Sequence, residues 1–237
     1  MKLRRYLLFF LLTAGGSAYA QTRPDSTFSL LLNSSLSFTH ANDAHINRWL
    51  KEYGYPTEPH TPVFLNFEVA AIPADSRLLY SVHLSTITNA DDLTSFNIGA
   101  GLYAAPVKTK SFLLFFGGAL GYHADIITLD GNLPPDYKAL AEKYHTSLSL
   151  RRCGLSIEPA MRVLWYPIRL GQTLQVGVFG GLGYDVDLNS RWRLGYYTNT
   201  KGRYDHFSKI NKPSDQVKVS EYGFALNAGL SFRLNLH

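Results

Sequence analysis

His83 and Ser85 stand two residues apart, and Asp91 and Asp92 follow six residues later. A serine hydrolase needs a nucleophile, a base within hydrogen-bond reach and a group that orients the base. On an extended strand, residues i and i+2 share a face. His83 and Ser85 are therefore a candidate pair, and Asp91 or Asp92 a candidate third member. The other reading of the pair is two polar side chains filling an interior. The eight histidines show no i,i+4 pair on a predicted helix and no His-Glu-x-x-His run. His40, His45 and His60 fall in or beside one connection, where solvated loop histidines are the simple explanation. A lone Cys153 excludes a disulfide framework and a cysteine-built zinc site. No cofactor or metal is expected. Gly117-Gly118 and Gly180-Gly181 lack the Lys-Ser/Thr and helix of a phosphate loop.

The elements that must position these groups follow a period of two. Eight segments alternate apolar with polar or small residues: 27–39, 63–72, 78–88, 96–105, 112–127, 147–166, 174–188 and 217–236. Thus Tyr80, Val82 and Leu84 oppose Ser81, His83 and Ser85. Leu182, Tyr184 and Val186 oppose Gly181, Gly183, Asp185 and Asp187. Segment 112–127 starts apolar on both faces, so its register is open. Each segment is about as long as a strand needs to cross a bilayer. The connections 40–62, 128–146 and 189–216 are long. The connections 73–77, 106–111 and 167–173 are tight and carry Pro73, Pro106 and Pro167. Short turns at one end and long loops at the other is the pattern of a transmembrane barrel. The fold class expected is all-β, an eight-stranded antiparallel up-and-down transmembrane β-barrel.

Which face meets lipid is decided by charge. The eight segments cover 115 residues but hold 11 of the 41 charged side chains. A water-facing sheet surface would be richer in Lys and Glu than this. The apolar face is therefore expected outward in hydrocarbon, with Ser, Gly, Asn and Thr filling a narrow lumen. Closure follows, because an open sheet edge in lipid leaves backbone groups unpaired. Aromatics near strand ends (Phe28, Phe38, Tyr80, Tyr122, Trp165, Tyr166, Tyr184, Tyr222) fit interfacial girdles.

Seven charged residues fall on the inward register: Glu68, Arg152, Glu158, Arg162, Asp185, Asp187 and Arg233. Buried charges need partners. Strand direction brings Arg152 near Asp187 at one end and Glu68 near Arg233 at the other. The expected lumen charge pairs thus draw on Glu68, Arg233, Arg152, Asp187, Glu158 and Arg162. The expected lumen is a packed polar core rather than an open channel.

The seventh connection is rich in basic and aromatic residues: Arg191, Trp192, Arg193, Tyr196, Tyr197 and Arg203 among them, with Asp205 and Asp215 opposing. It is a candidate surface-contact loop for lipopolysaccharide phosphates, glycans or a protein partner. The alternative is two strands projecting beyond the membrane, with a solvated tip near 199–202. Residues 46–55 could form a short helix in the first long connection.

The first 20 residues, MKLRRYLLFFLLTAGGSAYA, read as a secretory signal peptide with cleavage between Ala20 and Gln21. The barrel domain then occupies 21–237. Without Lys2, Arg4 and Arg5, 20 basic residues face 18 acidic ones. That balance gives no case for nucleic acid.

The chain resembles the small eight-stranded outer-membrane proteins of the OmpA/OmpX type, in the form common in Bacteroidota. The residues that carry the resemblance most sharply are Asn227-Ala228-Gly229-Leu230-Ser231-Phe232-Arg233-Leu234. They are similar to the last-strand signal read by the barrel assembly machinery, although the chain ends Leu236-His237 rather than on an aromatic. The resemblance implies residence in the outer membrane of a Gram-negative bacterium, contact with outer-membrane lipid and lipopolysaccharide, and a non-enzymatic structural or surface-interaction role. His83 and Ser85 also faintly resemble the pair of the lipid A deacylase barrels, where Asn follows; here Thr86 does. A membrane-embedded lipid hydrolase is thus one alternative, and a narrow pore another.

Overall fold

The computed structural model describes residues 28–41, 44–52, 55, 61–74, 76–88, 93–129, 138–139, 142, 148–171, 173–188, 192–198, 206–209 and 222–236. The proposed leader and the loop tip at 199–202 lie outside them. The strands are β1 (Phe28–Ala41), β2 (Val63–Ile72), β3 (Leu78–Ile87), β4 (Leu93–Lys108), β5 (Phe112–Leu129), β6 (Leu148–Leu170), β7 (Leu174–Leu188), β8 (Arg193–Thr198), β9 (His206–Lys209) and β10 (Tyr222–Leu236). A helix, α1 (Ala44–Glu52), follows β1. The barrel order is β5-β4-β3-β2-β1-β10-β7-β6, and β5 pairs β6 to close it. All eight neighbouring pairs are antiparallel.

The alternation settles which way each wall faces. On β3, Leu79, Ser81 and Ser85 are buried while Leu78, Tyr80, Val82 and Leu84 are exposed. On β4 and β5, Leu102 is 52% exposed and Leu120 54%, whereas Tyr103 and Phe115 are 1% and 0%. The register of β5, open from its apolar start, has odd-numbered residues inward. Its polar end, His123 and Asp125, fixes that choice. On β10, Phe224, Leu226 and Leu230 face out and Ser231 and Arg233 face in. Large apolar side chains thus cover the outside, an inversion of what water selects.

The turn end departs from expectation in one respect. Pro106 and Pro167 do not make the turns. They sit on strand ends at register breaks, between Ala104 and Val107 in β4 and between Trp165 and Ile168 in β6. A proline has no N–H for the ladder, and a bulge is where that costs least. Pro159, inside β6, interrupts its ladder with β7 without shifting the register: Ile157 and Ala160 pair, the two residues between do not. The tight turns follow, one at 109–111 and one opening at Gly171. In the first, Thr109 N–H donates to Phe112 O at 2.8 Å. In the second, Gly171 takes φ 71°, a left-handed conformation that side chains disfavour. Lys108 Nζ donates to Ala74 O and Ser76 O at 3.2 and 2.7 Å, tying two turns together.

At the loop end the walls continue past the barrel. β8 pairs with the start of β6 and β9 pairs with β8, so the projecting-strand reading of the seventh connection describes the fold. The helix starts two residues earlier than the sequence suggested. It buries Asn47 and Leu50 and exposes Arg48, Lys51 and Glu52. Tyr55 N–H donates back to Leu50 O at 2.8 Å, closing its end. Leu50 and Tyr55 join Ile127, Leu129, Leu148, Leu150, Trp192 and Leu194 in one buried cluster. Those partners lie on β5, on β6 and on or just before β8, across the barrel from the strands that flank the helix. Burial in that cluster raises the Tyr55 hydroxyl above its usual pKa.

Candidate functional site

The lumen has three levels. The level toward the turns is mainly apolar: Leu31, Ile72, Leu79, Tyr103, Leu113, Phe115, Leu164, Tyr166 and Phe179 form one buried cluster, with the Arg233–Ser29 contact on its turn side. This corrects the expectation of a polar core throughout. The reason is visible at Gly117, opposite Tyr103 on β4. A Cβ there would collide with Leu102 O and Tyr103 Cα, at 2.6 Å from the latter. The bare backbone leaves room for the Tyr103 ring to lie inside. Tyr166 also points inward at 1% exposure, so it belongs to this plug and not to a girdle.

Above the plug runs a polar layer. Tyr166 Oη and Ser231 Oγ are 2.7 Å apart. Ser231 donates onward to Asn33 Oδ1 at 2.6 Å, which makes Tyr166 the donor to Ser231. Asn33 Nδ2 donates to Glu68 Oε2 at 2.8 Å, and Arg162 Nη1 donates to Glu68 Oε1. The chain of bonds leaves β6, crosses β10, β1 and β2, and returns to β6. The Arg162 guanidinium also lies 4.0 Å from the Tyr103 ring centre, a cation–π contact on the roof of the plug.

This arrangement corrects the expected partner of Glu68. Arg233 does not reach it. Arg233 is level with Leu31, and Glu68 with Asn33. The Arg233 side chain runs toward the turn end, donating from Nε and Nη2 to Ser29 Oγ at 3.2 and 3.1 Å. Sequence reasoning counted neighbours along the wall and missed the partner across the lumen.

Over the polar layer lies a cavity of about 90 Å³. Ser35, Asn66, Glu68, His83, Ser85, Asn97, Glu158 and Arg162 line it. His83 and Ser85 thus face the lumen, not the lipid. Glu158 packs over Gly183. Among the described residues, His83 Nδ1 and Asn97 Oδ1 are buried without a hydrogen-bond partner. A polar cavity of this size suits water.

The third level is near the loop end. Arg152 donates from Nε and Nη2 to Asp125 Oδ2 at 2.8 and 2.6 Å, and Ser95 donates to Asp125 Oδ1 at 2.5 Å. The expected Arg152–Asp187 pair is a longer contact of 3.9 Å, and His123 Nε2 is 3.6 Å from the same Asp187 oxygen. Asp125 was overlooked because the register of β5 was open; the His123-x-Asp125 spacing could have revealed it. Arg152 also lies 5.1 Å from the Trp192 ring.

Trp192 is therefore no surface contact: it is fully buried. Arg193 is exposed and Tyr196 half-buried against the loop-end cluster. Arg191 and Arg203, and the side chain of Tyr197, lie outside the described residues. Among the described residues no three His, Cys, Asp or Glu side chains come together as a metal site would need.

No family profile matches this chain, and no curated protein does. Among solved structures it is similar to Neisserial surface protein A, with TM-score 0.46 and 10% identity over 88% of this chain and 97% of that one. It is similar to a major outer membrane protein from Thermus thermophilus, with TM-score 0.47 and 10% identity over 89% and 100%. It is also similar to the outer membrane protein OprG from Pseudomonas aeruginosa, with TM-score 0.41 and 10% identity over 90% and 96%.

Proposed function

We propose that this protein crosses a bacterial outer membrane with eight strands and serves there as a non-enzymatic structural or surface-interaction barrel. The observation that carries the reading is the inversion of the walls. Exposed Leu, Val, Phe and Tyr side chains cover the outside of all eight barrel strands, while Glu68, Asp125, Arg162 and Arg233 are buried inside. No soluble environment rewards that arrangement, and a closed barrel is one of two ways a chain can satisfy its backbone in lipid. Exposed aromatics stand at both levels, Tyr80, Phe112 and Trp165 toward the turns and Phe38, Phe96 and Tyr122 toward the loops. Ten residues of β5 separate Phe112 from Tyr122. At about 3.4 Å per residue and a tilt near 40°, that is roughly 25 Å, the height of a lipid-facing band.

Two features favour a non-enzymatic role over a lipid hydrolase. His83 and Ser85 open onto the inside of the wall, away from lipid acyl chains. Their cavity of about 90 Å³ is well below the 300 Å³ or more of an ordinary ligand pocket. The apolar plug speaks against a pore. The test is fractionation of cells followed by intact-mass analysis. The expected result is a heat-modifiable protein in the outer-membrane fraction whose mass starts at Gln21. Recovery from the soluble periplasm would overturn the membrane reading. Lipid hydrolysis by the refolded protein that disappears in Ser85→Ala would overturn the non-enzymatic one.

A further inference from the structure

We propose that Arg151 and Arg193 form a binding site for the phosphate of a membrane-lipid headgroup. The two are direct cross-strand partners in the antiparallel pair β6–β8. Partners of this kind have Cβ atoms about 5 Å apart on one face, and like charges so placed repel each other. Two guanidinium groups so placed can hold one anion between them. Arginine suits the task, because its planar fork of N–H donors matches phosphate oxygens in pairs.

The face is the outer one. Leu194, next to Arg193, is buried in the loop-end cluster and Arg193 is exposed. Arg151 is itself half-buried and continues the outward series of Leu155 and Ile157, which are 49% and 44% exposed. The height also fits. Arg151 lies four residues beyond Leu155 toward the loops, about 13 Å along the strand and roughly 10 Å along the membrane normal. The headgroup layer begins where the apolar band ends and is about 5–7 Å deep on each side. Long arginine side chains reach into it from just beyond. Beneath the pair, Leu120, Leu155, Ile157 and the Tyr122 ring offer an apolar surface for the acyl chains of the same lipid. One phosphorylated lipid can therefore occupy both parts, its phosphate on the arginines and its chains on the band.

The inference rests on the membrane placement above but is tested apart from it. The full chain, refolded in a zwitterionic detergent, is titrated with a bisphosphorylated glycolipid (lipid A) and with the same glycolipid after dephosphorylation. The wild type should bind the phosphorylated form at least tenfold more tightly. Arg151→Gln/Arg193→Gln should abolish that difference. Arg193→Gln alone should reduce it and keeps the claim testable if the double variant does not fold, judged by its unboiled gel mobility. Millimolar inorganic phosphate should compete poorly, because it lacks acyl chains. Equal affinity for both glycolipids, unchanged binding by the folded variants, or full displacement by inorganic phosphate would each overturn the assignment to a lipid headgroup. A chain found in the soluble fraction of cells would instead strike the membrane reading.

Discussion

Arg162 and Glu68 meet across the diameter of the barrel. Three strands separate β6 from β2 in either direction around the closed sheet, yet the two side chains form an ion pair with 8% and 7% exposure. The pair ties opposite walls together directly above the apolar plug. It also anchors a hydrogen-bond chain through Asn33 and Ser231 to Tyr166.

That relationship predicts a specific asymmetry in stability. Arg162→Met strands a buried carboxylate and should cost about 3–5 kcal/mol. Combining it with Glu68→Leu should recover most of the loss. Arg233→Ala removes hydrogen bonds to Ser29 and leaves Glu68 its partner, so it should cost less, about 1.5–3 kcal/mol. Urea unfolding of the refolded proteins in lipid vesicles measures all three. A larger loss for Arg233→Ala than for Arg162→Met would refute the pairing.

The plug predicts electrical silence. Leu31, Tyr103, Phe115 and Tyr166 fill the lumen at the turn end, each at most 1% exposed. Planar-bilayer recordings of the wild type should show no large stable conductance. Phe115→Ala should cost about 3–5 kcal/mol through the void it leaves. Steady conductance from the unmodified protein would mean that the lumen opens.

Two tryptophans should report opposite environments. Trp165 faces outward with 52% exposure and Trp192 is fully buried at the loop end. In vesicles of brominated lipid, emission from Trp165 should be quenched strongly and emission from Trp192 hardly at all. In a Trp49→Phe background, comparing Trp165→Phe with Trp192→Phe separates the two signals, and quenching lost on replacing Trp192 would reverse the assignment of faces.

Orientation is testable by labelling. In a Cys153→Ser background, an impermeant maleimide added to intact cells should label Arg48→Cys on α1, at the loop end. It should leave Thr109→Cys at the turn end unmodified until the cells are lysed. Labelling of Thr109→Cys alone would place the turns outside the cell.

Gly117 should resist replacement. A Cβ there meets the backbone of Leu102 and Tyr103, and backbone cannot swing aside as a side-chain tip can. Gly117→Ala should lower the unfolding midpoint clearly, while Gly180→Ala, with only Asn227 O at 3.9 Å, should leave it nearly unchanged. Equal midpoints for the two variants would remove the steric account of the Tyr103 plug.

The sequence by itself determined the walls of this protein. Period-two alternation depends only on the extended backbone, which sends successive side chains to opposite faces. Tyr80, Val82 and Leu84 therefore stood opposite Ser81, His83 and Ser85 before any fold was known, and the scarcity of charge in the strands said which face avoids water. Segment 112–127 was the exception at its start, where Phe112 to Phe116 are apolar on both faces. What only the tertiary structure decided was everything that depends on distance across the lumen. Alternation orders residues along a wall and is silent about the wall opposite, so it paired Glu68 with Arg233 when closure brings Arg162. It also counted Tyr166 and Trp192 as surface aromatics. Closure turned one into a plug beside glycines that make room for rings, and the projecting β6 and β8 buried the other beneath Arg152. Strand direction gave the height of each group; closing the sheet, which brings distant sequence into contact, chose its partner.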